Sequence, residues 1–293
     1  MKALLPLGLV FMLTACSPIP IVDDDARYQN SRINHLVIHF TSEHFERSLE
    51  LLTGRGESRV SVHYLVPEPG DATYPHSSLR VYRLVDEERR AWHAGRSYWD
   101  GVTSLNNSSI GIEIVNQSAC VLDDPDDAPP EPEDQQCTFL PFPEEQIALV
   151  IRLARDILER NPDIDPENVV GHSDIATTRR VDPGPLFPWE RLYDAGIGTW
   201  PDADAVARHR QRFESAPPSL VDYQVALAAW GYDIEPTGEH DTATRYVVRA
   251  FQMRFRPASY DGLMDNETGA ILFALLEKYR PGAYKKLLQA ETP

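Results

Sequence analysis

The chain has 293 residues, of which 42% are hydrophobic and 25% charged, enough apolar material for a main core and a smaller second domain and too much for wholesale disorder. Asp and Glu number 45 against 28 Lys and Arg, a formal net charge of −17 at pH 7. A surface of that sign repels phosphate backbones, so no nucleic-acid partner is expected and the acidity reads as a solubility feature.

The N-terminus begins with Lys2, and Ala3 to Leu13 is apolar apart from Pro6 and Gly8. That run is too short to span a bilayer as a mature helix and has the shape of a secretory signal over residues 1–15. Leu13-Thr14-Ala15-Cys16 looks like a bacterial lipobox, which implies cleavage before Cys16 and acylation of its thiol; an ordinary cleaved signal or a short buried helix is the other reading. Each buried methylene contributes about 0.8 kcal/mol to membrane binding, so several acyl chains on one cysteine hold firmly. Ser17, rather than Asp, follows Cys16, as in bacterial lipoproteins of the outer membrane. The mature chain is therefore expected at that membrane, lipid-anchored and facing the periplasm. Residues 16–30 read as a polar tether.

Asn34 to Phe40 reads as a buried strand, and Thr41 or Ser42 as the cap of a helix running to Thr53, with Gly54 just beyond. Val60–Val66 is a second strand, closed by Pro67-Glu68-Pro69-Gly70, and Leu79–Val85 a third. Ile110–Asn116 is the clearest strand, with Ile110, Ile112 and Ile114 on one face and Gly111, Glu113 and Val115 on the other. Cys120 and Cys137 then bracket an acidic, proline-rich insert. In an oxidising compartment a disulfide would close this loop, worth about 3 kcal/mol; two free thiols are the other reading.

Glu144-Glu145 opens a helix whose apolar residues, Ile147 to Leu158, keep a helical period, and Asn168–Gly171 is a short strand leading to His172. Strands alternating with helices over residues 31–200 argue for an α/β domain with a mixed central β-sheet flanked by helices. Residues 201–218 read as a linker, with Pro217-Pro218 between two helical patterns. Residues 219–230, 241–256 and 265–279 follow as three amphipathic helices, which make 219–293 a compact helical domain.

His39 and His172 each end an apolar strand, and Asp182 lies ten residues beyond the second histidine. Two imidazoles and one carboxylate bind zinc with a fourth position open to water. By spacing alone, histidines hydrogen-bonded at the core edge explain the pattern too. Glu113 in an isoleucine strand is either outward-facing on an edge or a base placed to take a proton from water. The rigid turn Asp182-Pro183-Gly184-Pro185 either holds its aspartate in place or is a plain surface turn.

Together these pieces resemble one family. Val37–Thr41, Ser61-Val62-His63-Tyr64, Trp92-His93-Ala94-Gly95, Ser109–Glu113, Gly171–Ala176 and Asp182–Pro185 occur in the order seen in type 2 N-acetylmuramoyl-L-alanine amidases, whose fold is shared with peptidoglycan recognition proteins. The lipobox, Leu186-Phe187-Pro188-Trp189 and the tail Phe251–Pro257 narrow the resemblance to an outer-membrane lipoprotein branch.

The resemblance implies one Zn2+ per chain on His39, His172 and Asp182, with Glu113 as acid/base. It implies that Trp92, His93, Ala94 and Gly95 line a substrate groove, that His63 is structural, and that the C-terminal helices bind peptidoglycan. Its partners would be peptidoglycan or muropeptides and, through acylated Cys16, outer-membrane lipid. Arg180 stands where the family usually has Lys; as a fixed charge steadying an oxyanion it serves as well, but it cannot shuttle protons. A peptidoglycan-binding lipoprotein that holds its ligand without cutting it is the alternative, and a structural link between membrane and wall a third.

Overall fold

A computed structural model describes Val22, Asp24 and residues 30–56, 58–121, 132 and 135–290. The signal segment, Cys16 and most of the tether lie outside the described residues, as does most of the insert between Cys120 and Cys137. Among the described residues no helix is long and apolar enough to cross a membrane.

His35–Phe40 forms strand β1, buried along its whole length as expected of a strand covered on both faces. It lies inside a five-stranded sheet of order β3-β2-β6-β1-β9, where β2 is Tyr64–Val66, β3 Tyr82–Arg83, β6 Ser109–Ile114 and β9 Val169–Gly171. All neighbours are parallel except β2 and β3, so the sheet is mixed, as the alternation of elements predicts. Two small ribbons stand apart: β4 (Tyr98–Trp99) with β5 (Val102–Thr103), and β7 (Ala119–Val121) with β8 (Gln136–Thr138). Cys120 and Cys137 are register partners in the second ribbon and are joined by a disulfide.

The second strand is shorter than the predicted Val60–Val66. The N–H of Gly111 goes to the ring Nδ1 of His63 at 3.0 Å rather than to a backbone carbonyl, so the ladder starts only at Tyr64. Helix α1 (Phe45–Leu52) also starts later than expected. Ser42 sits in the left-handed region at φ 57, and His44 caps the helix by accepting the N–H of Arg47 at 3.3 Å.

Helix α2 (Glu144–Arg160) covers one face of the sheet. Its Ile147, Val150, Ile151, Ala154 and Ile157 pack on Leu36, Ile38, Ile110, Ile112 and Ile114 in one core. Each large aliphatic side chain buried there contributes about 1.5–3 kcal/mol relative to exposure.

After β9 come the short α3 (His172–Ile175) and α4 (Trp189–Asp194), and then α5 (Ala203–Ser215). The three helices expected at the C-terminus are α6 (Leu220–Trp230), α7 (Thr242–Phe255) and α8 (Asn266–Tyr279), capped by Ser219, Asp241 and Asp265. A further helix, α9 (Pro281–Ala290), follows. Residues Ser31–Pro293 form one compact unit. Val247, Phe251 and Phe255 of α7 share a core with Val37 and Val170, so helices from the C-terminal part cover the other face of the sheet.

Candidate metal centre and active site

Alternation along the strands decides which side chains reach the site. With Leu36, Ile38, Ile110, Ile112 and Ile114 turned toward α2, Val37, His39, Gly111 and Glu113 face the other way. The register pairs His39 with Glu113 and Ile38 with Gly171, so His172 emerges beside His39 at the carboxyl edge of the parallel strands. Asp182 returns to this edge in its turn, where the N–H of Ser173 donates to the Asp182 carbonyl at 2.8 Å. His39, His172 and Asp182 are all buried.

Three atoms meet there. Nδ1 of His39 and Nδ1 of His172 are 2.9 Å apart, and Oδ2 of Asp182 lies 3.0 Å from the first and 3.1 Å from the second. The protons of both rings are committed elsewhere. The Ser109 hydroxyl donates to the Leu105 carbonyl at 2.6 Å, so its oxygen is left to accept from His93 Nε2–H at 3.2 Å. His93 Nδ1 is then a lone pair, and it accepts from His39 Nε2–H at 3.0 Å. His172 Nε2–H donates to the Ala94 carbonyl at 3.2 Å. Both Nδ1 atoms therefore present lone pairs.

Burial drives His172 down to about 4 despite the pull of Asp182, which keeps its imidazole neutral. Three acceptors facing one another at this distance, with no proton between them, call for a cation. Tetrahedral zinc, with bonds of about 2.0–2.1 Å, needs ligand atoms separated by about 3.3 Å, close to what is found. The donor set of two neutral imidazoles and one carboxylate fits that ion, with each imidazole held from behind by a hydrogen bond at its other nitrogen.

Glu113 stands beside this cluster. Its Oε2 is buried and has no hydrogen-bond partner among the described residues. Burial, with Asp182 adding to it, raises its pKa well above the ordinary carboxylate value, against the opposing charge of Arg180. A half-buried carboxyl poised to hold a proton, with one buried oxygen left free, is what acid/base work requires.

The remaining expected site residues divide by burial. Trp92 is 50% exposed with the Arg90 guanidinium 3.9 Å above its ring, and Gly95 is also at the surface. His93 and Ala94 are buried behind the two histidines, His93 against His39 and Ala94 against His172. Gly111 makes this possible, since a Cβ there would lie 2.7 Å from His93 Nδ1. The two neighbouring arginines also differ. Arg179 donates to the carbonyls of Ala94 and Arg96 and so clamps that segment, whereas Arg180 is exposed and, among the described residues, bonds the Arg179 carbonyl alone.

Ser109, His93 as a partner of His39, and Arg179 as a clamp were not assigned these roles from sequence. Ser109 and His93 lie inside recognised motifs, but only the fold shows that they touch each other.

The family described as N-acetylmuramoyl-L-alanine amidase matches residues 29–185, and that described as a peptidoglycan binding domain matches residues 217–272. N-acetylmuramoyl-L-alanine amidase AmiD of Escherichia coli strain K12 is 45% identical over 255 residues, 85% of this chain and 84% of that protein. The crystal structure of AmpDh3 from Pseudomonas aeruginosa superposes with a TM-score of 0.80 at 41% identity, covering 89% of this chain and 100% of that one. The complex of AmiD from E. coli with anhydro-N-acetylmuramic acid-L-Ala-D-gamma-Glu-L-Lys superposes with a TM-score of 0.72 at 44% identity, covering 87% and 93%.

Proposed function

Because the chain belongs to the N-acetylmuramoyl-L-alanine amidase family, we propose that it cuts the amide between N-acetylmuramic acid and L-alanine with one zinc ion held by His39, His172 and Asp182. It is an enzyme of the cell envelope that acts on peptidoglycan or muropeptides in wall turnover. The observation that carries the zinc reading is the convergence of a carboxylate oxygen and two imidazole lone pairs whose ring protons are committed elsewhere.

Bound there, the metal supplies a Lewis acid for the lactyl carbonyl and lowers the pKa of a water. Glu113 takes a proton from the attacking water at its free Oε2 and returns it to the nitrogen of the departing L-alanine. Atoms balance without a covalent enzyme intermediate, and no serine or cysteine nucleophile is needed. Arg180, exposed at the mouth of the site and within electrostatic reach of Glu113, steadies the negative charge that develops on the carbonyl oxygen. His93 and Ser109 hold His39 in the tautomer that turns Nδ1 inward. Trp92, at the surface one residue before His93, offers a face on which the substrate packs.

The lipobox supports acylation of Cys16 and anchoring at the outer membrane, with the catalytic part facing the periplasm. Residues 219–293, which include most of the peptidoglycan-binding match, are read as the part that holds the wall. The muropeptide in the AmiD complex supports substrates of that class for this chain.

The experiment is digestion of purified sacculi and of isolated muropeptides, with the products read by mass. Free peptides beginning at L-alanine are expected. Muropeptides bound and recovered intact would replace this reading with that of a binding protein.

A further inference from the structure

The C-terminal helices do more than sit beside the catalytic part. Arg254, near the end of α7, is buried and reaches across to the segment that carries His172. Its Nη1 pairs with Asp174 Oδ2 at 2.9 Å, and its Nη2 donates to the Val169 carbonyl at 2.9 Å and to Thr199 Oγ1 at 3.3 Å. Val169 and Asp174 flank His172 on either side in sequence, so one guanidinium grips the segment at both ends.

The grip is reinforced from two directions. Tyr232, just beyond α6, donates its hydroxyl to Asp174 Oδ1 at 2.6 Å. Asp174 Oδ2 also accepts the N–H of Gly171 at 2.8 Å, which closes the first turn of α3 around His172. The guanidinium carbon lies over the Trp189 ring, 4.3 Å from its centroid, so the ring backs the grip.

The pair is fully inside the protein, with side chains 2% and 1% exposed. A buried ion pair is poor evidence for stability, because desolvating both charges offsets most of their attraction. What this pair has instead is geometry: both Asp174 oxygens and two of the three guanidinium nitrogens are spent on named partners around His172. A hydrophobic pair in the same place would fill the space but would not fix the angle at which the imidazole leaves the strand.

We propose that Arg254 and Tyr232, contributed by the C-terminal helical part, are positioning residues for the metal centre: acting through Asp174, they set the orientation of His172. This rests on the zinc reading of the site. It makes the helical part a component of the active site as well as the part that holds the wall.

The test uses the full mature chain and four proteins: wild type, Tyr232→Phe, Arg254→Lys and, as a control, Lys278→Met. Tyr232→Phe removes one hydroxyl at constant shape, and Arg254→Lys keeps the charge but loses the forked grip. Lys278 ties α8 to Asp202 and Tyr193 without touching Asp174, so its loss loosens the helical part elsewhere. Zinc dissociation constants are measured by competition with a chromophoric chelator, folding by urea midpoint, and kcat and KM on a muropeptide.

Zinc binding at least about 10-fold weaker in Tyr232→Phe and Arg254→Lys is expected, with kcat lowered and KM within about twofold of wild type. Lys278→Met is expected to lower the urea midpoint with wild-type zinc affinity. Wild-type zinc affinity and kcat in both positioning variants, whatever their urea midpoints, would overturn the proposal while leaving the metal reading intact. A wild-type chain that binds no zinc would overturn the metal reading itself.

Discussion

His39 and Glu113 are register partners on adjacent parallel strands, so the proposed metal ligand and the proposed acid/base leave the same face of the sheet at the same distance from its edge. The pairing is enforced from the opposite face. Ile38, Ile112 and Ile114 are locked against α2, and a slip of either strand by one residue would turn its own His39 or Glu113 into that core. Packing on one side of the sheet thus sets the chemistry on the other.

Glu113→Gln keeps the shape of the side chain but cannot carry the proton. Muropeptide hydrolysis is expected to fall by about 10²–10⁴-fold while metal analysis still finds one zinc per chain. Full activity in this variant would remove Glu113 from the mechanism.

Ser109→Ala deletes the acceptor that fixes the direction of the relay through His93 to His39. The fold should survive at a cost of about 1–3 kcal/mol, because the change leaves the Leu105 carbonyl short of one partner. Zinc affinity, measured by chelator competition, is expected to drop about 10-fold or more as His93 becomes free to reverse its tautomer. Unchanged affinity would mean that His39 is oriented by packing alone.

Arg180→Ala is expected to leave folding intact, since the side chain is exposed, and to lower kcat by about 10²-fold. Arg180→Lys should retain most of the activity. Because Arg180 is the cation that opposes the upward shift of Glu113, its removal should also move the acid limb of the pH–rate profile to higher pH. A profile that stays in place would mean that the two groups do not sense each other.

Stability should decline with acid. Burial lowers the pKa of His35, His63 and His209 below the ordinary 6.5, so the native state keeps them neutral while the unfolded chain takes up protons. The unfolded state then binds more protons, and the free energy of unfolding falls as pH drops through about 6.5. Glu87 adds a second decline below its ordinary 4.5: burial would raise it, but Arg160, Tyr64 and Asn161 hold it lower. Urea midpoints at pH 8, 6 and 5 should fall in that order; a midpoint rising toward pH 5 would contradict it.

Much of this was legible in the sequence because the informative residues sit in short apolar strands and capped helices. The alternation in Ile110–Val115 already placed Glu113 opposite the isoleucines, and Asp241 and Asp265 marked the starts of α7 and α8. The strand at Val60–Val66 was overestimated because the histidine side chain that replaces a backbone partner leaves no mark in hydropathy. The different tasks of Arg179 and Arg180 were equally hidden. Two adjacent arginines look alike until the path of residues 94–96 shows which one has carbonyls to bind. Arg254 lies in the tail Phe251–Pro257, which carried the resemblance but no role for this side chain; only the docking of α7 reveals that it grips Asp174.

The most direct measurement is anomalous diffraction at the zinc edge from crystals of the mature chain grown with zinc. One peak bonded to Nδ1 of His39, Nδ1 of His172 and Oδ2 of Asp182, each at about 2.0–2.2 Å, is the expected result. A peak elsewhere, or these three side chains turned away from one another in the presence of zinc, would contradict it.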